Sequence, residues 1–405
     1  MKLVEGGITA VPGIFAAGIS AGIKKTAVPD LALIVSESDA VIAGVLTRNK
    51  VAAAPVLLAR QRLRGGRARA ILANSGNANA CTGRPGIADA REMAALAAGL
   101  LGCSADHVFV GSTGVIGQPL PMDRIRAAIP RLVSQLSRQG GREAARAIMT
   151  TDTTIKMAAA TESIAGRQIT LGGIAKGSGM IHPDMATMLA YLVTDAHISR
   201  AMLQRALRMA MVQSFNRIPL DGDTSTNDMV LCLANGLAGN QSFSTTGSDG
   251  RRFQELLNTV CQDLAKMIAR DGEGATKFVT KFVELRVTGA RTETDALRVA
   301  NTVATSSLVK TAWFGQDSNW GRIMAAIGRA GVTIRENRIA ISYGDIPVVR
   351  RGIGLGQAAE VQANVVLRQR EFTLTVHLGQ GRAAATVWTS DLTLDYVKIN
   401  ASYRS

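Results

Sequence analysis

The stretch KGSGMIHPDMATML, residues 176–189, is the part of the chain around which the fold prediction is built. Its two glycines and Pro183 permit tightly turned or strained backbone shapes. The small residue Ala186 then precedes Thr187, which opens an apolar run through residue 193. A threonine held in a strained turn can attack the carbonyl group of the residue before it. Cleavage at that bond would make Thr187 a new N-terminus.

An N-terminal threonine carries a nucleophile and a base on one residue. A free α-amine has a pKa of roughly 7.7 to 8, so part of it is neutral at cellular pH and can take the hydroxyl proton. Because no histidine is then required, a catalytic triad through the nearby His182 is the poorer hypothesis. An ordinary glycine-rich turn before a buried strand would have the same composition, so the stretch alone leaves both interpretations open.

Length and composition indicate a globular enzyme. The chain has 405 residues, of which 47% are apolar and 19% charged, enough for two or three lobes with a large core. The first residues lack the pattern of a secretory signal, and the apolar stretch 11–23 is shorter than the roughly 20 residues needed to span a bilayer. We therefore expect a cytoplasmic protein that does not enter a membrane.

The chain is strongly basic, with a formal net charge of +15 and a pI of about 10.3. The densest group of arginines lies in residues 60–69 and contains no aromatic residue. Proteins that bind nucleic acid usually place aromatic side chains among such charges for base stacking. We therefore interpret the charge as a solvated surface that can attract anionic substrates, with nucleic-acid binding as the weaker alternative.

The chain shows no pattern typical of a metal or disulfide site. Four cysteines are widely spaced and form no C-x-x-C pair, so free thiols are expected; they are Cys81, Cys103, Cys232 and Cys261. The polar run 221–228 holds three carboxylates but lacks the spacing of a calcium-binding EF-hand. We predict a hydrogen-bonded turn near the functional site there and not a metal site.

Alternating and helical patterns predict a mixture of strands and helices. Strands are expected at residues 31–35, 40–46, 68–72, 188–193, 278–287, 332–343, 361–367, 372–378 and 383–389. Helices are expected at 87–101, 122–129 with a stop at Pro130, 141–149, from an N-cap at Ser199, and at 253–268 and 292–309.

Several loops could surround a site. The loop 73–83 is rich in side-chain amides and could be a plain turn or a rigid wall. The glycine-rich loop 111–117 could direct backbone N–H groups at a phosphate or at a developing oxyanion, although it is not a Walker loop. Residues 150–153 could cap a helix, turn the chain or hold a ligand. Glu273 lies between two glycines that would let it approach a ligand closely.

These pieces together resemble the ornithine acetyltransferases, also called the bifunctional glutamate N-acetyltransferases of arginine biosynthesis. The resemblance runs nearly from end to end and in order. Its matching segments are 73–83, 111–117, 149–153, 176–189, 221–228, 271–277 and 391–405.

The resemblance implies an α+β fold, namely a layered αββα-type sandwich of the self-processing N-terminal-nucleophile aminopeptidase kind with a smaller C-terminal α/β lobe. It also implies a cut between Ala186 and Thr187 that leaves an α chain of 1–186 and a β chain of 187–405, together forming an α2β2 heterotetramer. Within the β chain, residues 187–284 would complete the main domain, and about 285–405 would form the smaller lobe with its tail at the active site.

The resemblance also implies the reaction and its residues. Thr187 would take acetyl from N-acetylornithine and pass it to glutamate by a ping-pong mechanism, with acetyl-CoA as a possible further donor. Thr113 and Gly114 would form the oxyanion hole. The substrate-binding residues carried over by position are Thr150, Lys176, Thr187, Glu273, Asn400 and Ser405. Ser402 departs from the acidic residue frequent in the family, so the tail contacts are the weakest of these assignments.

Two alternatives stay open from the residues themselves. A self-processing N-terminal-threonine amidase or aminopeptidase would use the same Thr187 and give its acyl group to water. A basic nucleic-acid-binding protein would instead show steeply salt-dependent retention on DNA and no acetyl transfer.

Overall fold

The structure is a computed structural model that describes residues 1–181, 188–243, 247–272 and 281–401. Its first sheet contains nine strands in the spatial order β1-β6-β7-β8-β9-β3-β4-β5, with β2 paired to β3 beside this path. The strands are β1 (Lys2–Leu3), β2 (Ile14–Ile19), β3 (Leu31–Leu46), β4 (Arg67–Asn77), β5 (Val108–Val115), β6 (Lys156–Ile164), β7 (Arg167–Lys176), β8 (Leu189–Thr194) and β9 (Met229–Ala234).

The long strand β3 connects the two halves of this sheet. Its first part pairs with β4 from Leu31 to Val41, and its last part pairs with β9 from Val41 to Leu46. The register shifts between Val35 and Ala40, which is typical of a bulge that bends and twists a strand. The halves β2–β5 and β6–β9 can therefore turn toward each other while remaining hydrogen-bonded through one strand.

Helices cover the outer faces of both halves. The helices in this part of the chain are α1 (Ala54–Arg62), α2 (Gly83–Leu101), α3 (Met122–Ser134), α4 (Gly141–Ala147), α5 (Arg200–Gln213) and α6 (Ser248–Arg270). On β3, Leu31 and Leu33 face α2 and α3, whereas Ala32 and Ile34 face the other half of the sheet. The outer face of β6–β8 packs on α5 and α6.

The order of layers is therefore helix, sheet, sheet, helix, and the predicted αββα sandwich is confirmed. The innermost layer joins side chains of β3 and β4 to those of β8 and β9, with Tyr191 and Phe109 among its largest members. Ser199 caps α5 as predicted, because its hydroxyl accepts a hydrogen bond from the Met202 N–H group at 3.3 Å.

A second sheet of six strands forms the smaller C-terminal lobe, with its own hydrophobic core. Its strands are β10 (Phe282–Ala290), β11 (Ala340–Tyr343), β12 (Ile346–Arg350), β13 (Ile353–Gly354), β14 (Glu371–His377) and β15 (Ala383–Ser390). Its helices are α7 (Glu293–Ala304), α8 (Ser307–Phe314), α9 (Trp320–Gly328) and α10 (Gln357–Leu367), and α11 (Leu394–Ala401) follows β15. Phe282 and Trp388 of this lobe pack into the same core as α6.

Some element predictions were wrong. Residues 361–367 form helix α10, although their valines favour a strand. Ala363 and Leu367, four residues apart, are the buried ones, whereas Val361 and Val365 are exposed, as expected for one face of a helix. Helix α3 continues through Pro130, because the stripe of Ile125, Ile129 and Leu132 remains buried beyond it.

Other segments were assigned the wrong length. Residues 332–343 contain a short 3-10 helix, Glu336–Arg338, before the strand Ala340–Tyr343. The single helix expected at 292–309 is two helices, α7 and α8, that meet at Thr305 and Ser306. The start of the strand predicted at 278–287 lies outside the described residues, and its described part is β10.

We predict that Gly111 and Tyr191 are coupled in the inner layer. A Cβ atom on Gly111 would lie 2.0 Å from the Tyr191 hydroxyl oxygen, which has no hydrogen-bond partner among the described residues. Gly111→Ala should lower the free energy of unfolding by about 1 to 3 kcal/mol through overpacking. Tyr191→Phe should raise it by about 1 kcal/mol, because a buried hydroxyl without a partner is removed.

The double variant tests the coupling. Once the hydroxyl is absent, the new Cβ atom faces the Tyr191 Cζ position at 3.3 Å, so the double variant should recover most of the loss. Urea unfolding of the four proteins gives the coupling energy. Strictly additive changes would contradict the contact.

Candidate active site

A cleft lies where the carboxyl ends of β5 and β7 meet the loops after them. The cleft brings together five of the predicted site residues: Thr113, Gly114, Thr150, Lys176 and Asn400. The remaining lining residues are Ile116, Thr151, Ser178, Gly179, Met180, Ser225, Asn227 and Ile399. Segments separated by almost 300 residues in the sequence therefore share one cavity.

Four predicted residues, Ala186, Thr187, Glu273 and Ser405, lie outside the described residues, as does His182. The flanks of the predicted cleavage site are described. Strands β7 and β8 are antiparallel neighbours, and Lys176 pairs with Leu189. The connection that contains residues 186 and 187 therefore begins at the end of β7 and returns to the neighbouring start of β8, beside Lys176, which lines the cleft.

Two carboxylates hold these flanks. Asp221 accepts hydrogen bonds from the N–H groups of Met180 at 2.5 Å and Ile181 at 2.8 Å. Asp228 accepts one from the Met188 N–H group at 3.0 Å. The polar run 221–228 is thus the hydrogen-bonded turn near the site that the sequence predicts.

Thr113 and Gly114 lie at the end of β5, which runs parallel to β4. Gly114 has φ +135°, and a Cβ atom at this position would lie 2.3 Å from the carbonyl carbon of Gly76. Only glycine permits this approach of the two strands. The Thr113 hydroxyl oxygen is 3.5 Å from Lys176 Nζ.

The amide-rich segment 73–83 is not a plain turn, because its residues 73–77 form the end of β4; in the same way, residues 111–115 of the predicted glycine-rich loop belong to β5. Asn74 donates to the Asn77 carbonyl oxygen at 2.8 Å and accepts from the Ser112 hydroxyl at 2.6 Å. Asn227 donates to the carbonyl oxygens of Ala78 at 2.6 Å and Ser112 at 2.8 Å. Since these bonds surround the end of β5, they fix the backbone on which Thr113 and Gly114 lie.

A buried network of charges lies behind Lys176. The Lys156 ammonium group is fully buried, lies 2.7 Å from Asp152 Oδ1 and also contacts Asp271. Asp152 Oδ1 also accepts from the Gly177 N–H group at 2.6 Å, and Asp152 Oδ2 lies 4.0 Å from Lys176 Nζ. One lysine therefore connects the loop 150–153, the end of β7 and the end of α6.

The network sets the charges in the cleft. Burial disfavours ionised Asp152, but the charges of Lys156 and Lys176 outweigh this and hold the pKa of Asp152 well below its usual range. Burial lowers the pKa of the Lys176 ammonium group, although the nearby Asp152 opposes the change. Of the two lysines, Lys176 lines the cleft and Lys156 does not, so Lys176 is the one that can meet an anionic group of a ligand.

The hydroxyl-rich loop 150–153 both turns the chain and reaches the cleft. Asp152 accepts from the Thr150 N–H group at 2.9 Å, and the N–H group of Thr153 donates to Asp271 at 3.0 Å. The Thr151 hydroxyl is hydrogen-bonded to that of Ser178 at 2.7 Å, across the mouth of the cleft. Asp271 lies two residues before Glu273, and its carboxylate contacts Thr153 and Lys156. The chain is therefore held beside the site just before the segment that carries Glu273.

Two findings concern metal-ligating side chains and membrane-spanning helices in the part of the chain that the structure describes. In residues 1–181, 188–243, 247–272 and 281–401, no three metal-ligating side chains come together. Across the same part of the chain, each helix is too short or too polar to cross a membrane.

Sequence reasoning missed the network of Lys156, Asp152 and Asp271. It also missed strands β6 and β7, in which alanine and glycine replace the usual β-branched residues. One weak local signal of this network was the spacing of four residues between Asp152 and Lys156. The second partner of Lys156 is Asp271, which lies 115 residues away in the sequence.

Comparison with known proteins gives one family. The model of the ArgJ family matches residues 15–405. The chain is 51% identical over 409 residues to the arginine biosynthesis bifunctional protein ArgJ of Symbiobacterium thermophilum, with all of both chains covered. It is 52% identical over 397 residues to that of Geobacter sulfurreducens, covering 98% of this chain and 100% of the relative. A crystal structure of the Bacillus halodurans protein of the same name is 43% identical, with a TM-score of 0.49, and covers 52% of this chain and 96% of that one.

We predict that Lys156→Met lowers the free energy of unfolding by about 3 to 5 kcal/mol at neutral pH, because two buried carboxylates lose their shared cation. The pKa of Asp152 is lower in the folded than in the unfolded protein, so its contribution is present above the unfolded pKa of about 3.9 and is lost as the pH falls. The variant should lose less stability than the wild type below about pH 4.

Urea unfolding at neutral and acidic pH measures both effects. Lys50→Met, at an exposed lysine, is the control and should change stability by less than about 0.5 kcal/mol. Equal losses for the two variants would show that the buried network contributes no more than a surface charge.

Proposed function

This chain belongs to the ArgJ family, and on that premise we propose that it transfers acetyl from N2-acetylornithine to glutamate through an acetyl-Thr187 intermediate. The products are ornithine and N-acetylglutamate, an exchange that belongs to arginine biosynthesis. The observation that supports this most directly is the single cleft lined by Thr113, Gly114 and Lys176. Ser178, Gly179 and Met180, which precede the segment that carries Thr187, also line this cleft.

The first half of the reaction makes the acyl-enzyme. The neutral α-amine of Thr187 removes the hydroxyl proton, and the oxygen attacks the acetyl carbonyl carbon of acetylornithine. The charge that develops on the carbonyl oxygen is stabilised at Thr113 and Gly114. As the intermediate collapses, the C–N bond breaks, the α-ammonium group returns the proton to the departing nitrogen, and ornithine leaves.

The second half reverses these roles. The neutral amine of glutamate attacks the acetyl ester, and Thr113 and Gly114 again receive the negative charge. The proton of the attacking amine returns through the Thr187 α-amine to the Thr187 oxygen as the ester bond breaks. N-acetylglutamate leaves and the enzyme is restored. This ping-pong scheme requires neither a metal nor an organic cofactor, and acetyl-CoA is a possible second acetyl donor.

The charges of the cleft suit both amino-acid substrates. Lys176 can pair with the α-carboxylate that ornithine and glutamate derivatives share. Thr150 and Asn400 offer a hydroxyl and an amide from opposite parts of the chain. Glu273 and Ser405 are proposed to complete the site, with Glu273 pairing with the side-chain ammonium group of ornithine.

We also propose that the precursor cuts itself between Ala186 and Thr187 and that chains 1–186 and 187–405 remain together. The pairing of β7 with β8 and of β3 with β9 supports the proposal that the two chains remain together, because each pair joins strands from the two sides of the cut. The assembled enzyme is proposed to be an α2β2 heterotetramer in the cytoplasm.

Thr187→Ala should give a single uncut chain without acetyl transfer, because both the attacking hydroxyl and the new N-terminus are lost. Thr187→Ser, which keeps a hydroxyl, is the control and should still be cut. Mass spectrometry of the denatured proteins and an assay of acetylglutamate formation measure the two outcomes.

Two results would contradict the proposal. A fully active wild-type enzyme that remains one chain would exclude the N-terminal nucleophile. Release of acetate without acetylglutamate would exclude the transferase and favour the amidase alternative.

Thr113→Val should lower kcat by about 100-fold with little change in KM, because a donor to the oxyanion would be lost. Ser112→Ala is the control on the same strand, since that hydroxyl bonds to Asn74 and not to the cleft. It should reduce stability and leave kcat within about twofold. Equal kcat losses in both variants would indicate a general distortion of β5 instead.

A further inference from the structure

The connection between β2 and β3 carries a cation for which the reaction scheme above has no role. This residue, Lys24, is half-buried, and its ammonium group donates to the Met149 carbonyl oxygen at 2.8 Å and to the Pro29 carbonyl oxygen at 3.2 Å. Met149 directly precedes Thr150, which lines the cleft. Lys24 is not itself among the described lining residues, so its contact with the site is made through the backbone of Met149.

The position of Lys24 is fixed by Asp30, which is fully buried just before β3. The Asp30 carboxylate accepts hydrogen bonds from the N–H groups of Ala21 and Ile23, each at 2.6 Å, and from that of Lys24 at 3.0 Å. The Lys24 side chain then passes Gly76, where an added Cβ atom would lie 2.9 Å from Lys24 Cγ. The backbone and the stem of Lys24 are therefore both held before its ammonium group reaches its acceptors.

The Met149 carbonyl group and the Thr150 N–H group belong to one planar peptide group. Its oxygen accepts from the Lys24 ammonium group, and its N–H group donates to Asp152 Oδ2 at 2.9 Å. A cation therefore contacts the negative end of the peptide dipole, and an anion contacts the positive end. Hydrogen bonds to charged groups are stronger than those between neutral groups, so this peptide group cannot turn without breaking two strong contacts.

Asp152 also favours the charged form of Lys24. Burial lowers the pKa of the Lys24 ammonium group, the charges of Asp30 and Asp152 oppose this change, and the charge of Lys176 adds to it. Asp152 is thus a counter-ion to two cations, of which Lys24 binds the Met149 carbonyl oxygen and Lys176 lines the cleft.

We propose that Lys24 is a positioning residue that holds the Met149–Thr150 peptide group against Asp152 and thereby directs Thr150 toward the substrate. This inference rests on the proposed function, in which Thr150 contacts the amino-acid substrates. The backbone angles at Thr150 restrict the direction of its side chain, so a peptide group that is free to turn would give the hydroxyl several orientations. Ordering the hydroxyl would then cost conformational entropy at each binding event, and the affinity for the substrate would fall.

Amide hydrogen exchange, measured residue by residue, tests the contact without depending on catalysis. Lys24→Met removes the ammonium group and keeps an unbranched side chain. The Thr150 amide should then exchange about tenfold faster, because the peptide group opens more often once a charge-assisted bond is lost. The Thr153 and Thr154 amides should keep their wild-type exchange rates, since Asp271 binds them at 3.0 and 3.3 Å.

A double-mutant cycle tests the kinetic role. Lys24→Met should raise KM for acetylornithine about tenfold and leave kcat within about threefold, because binding is weakened equally in the ground state and the transition state. Thr150→Ala should also raise KM. Adding Lys24→Met to Thr150→Ala should change KM by less than about twofold, because the group that Lys24 positions is already absent.

The matched control is Lys25→Met, because Lys25 is the adjacent residue, carries the same charge and is exposed. It should leave the exchange rate of the Thr150 amide and the KM unchanged. Equal effects of the two variants would overturn the inference, since they would assign the change to the loss of one positive charge and not to the contact with Met149.

Wild-type exchange of the Thr150 amide in Lys24→Met would overturn the inference, as would additive losses in the double variant or an unchanged KM in Thr150→Ala. A Lys24→Met chain that does not fold, or that folds and stays uncut, would also overturn it, because a contact with one peptide group beside the cleft predicts neither effect. A wild type that forms no acetylglutamate would instead refute the proposed function, and the exchange rates would still decide whether Lys24 holds the peptide group.

Discussion

The active-site side of the molecule depends on the shared cation of Lys156. This side chain is buried without access to water, between the carboxylates of Asp152 and Asp271. Removing such groups from water is costly, and only a complete set of partners offsets the cost. Asp152 and Asp271 in turn bind the backbone N–H groups of Thr150, Gly177 and Thr153. The loop 150–153, the exit of β7 and the end of α6 are thereby held at one point.

The sheet adds a second constraint, because hydrogen bonds between its strands join the part of the chain before the proposed cut to the part after it. Strands β6 and β7 precede residue 186, and β8 and β9 follow residue 187, yet all four are consecutive neighbours in one sheet. Breaking a bond in the connection between β7 and β8 leaves every ladder hydrogen bond of this pairing intact. The proposed cleavage between residues 186 and 187 would therefore leave the core of the sheet intact.

The fold class and the residues of the cleft were predicted from the resemblance of several ordered segments to one family, whereas local patterns predicted only separate strands, helices and turns. The segments 73–83, 111–117 and 221–228 carry turn-forming and amide residues that are visible in a short window, although residues 73–77 are part of β4 and residues 111–115 are part of β5. The Lys156 network was not predictable in this way, since Asp271 lies 115 residues from its partner. Helix α10 was misassigned because its exposed valines imitate a strand, and burial rather than propensity determines the outcome.

The connection after β7 has a strained backbone at its described start, and carboxylates hold both of its described ends; these two features support the cleavage proposed above. Gly177 has φ +152°, and Met180, which has a side chain, has φ +57°, a conformation that costs about 1 kcal/mol or more. Such a conformation persists only when its surroundings hold it, and here Asp152 binds the Gly177 N–H group while Asp221 binds that of Met180. On the far side Asp228 binds Met188. The three carboxylates bind backbone N–H groups on both sides of residues 186 and 187, so the surrounding fold holds the strained backbone at Gly177 and Met180.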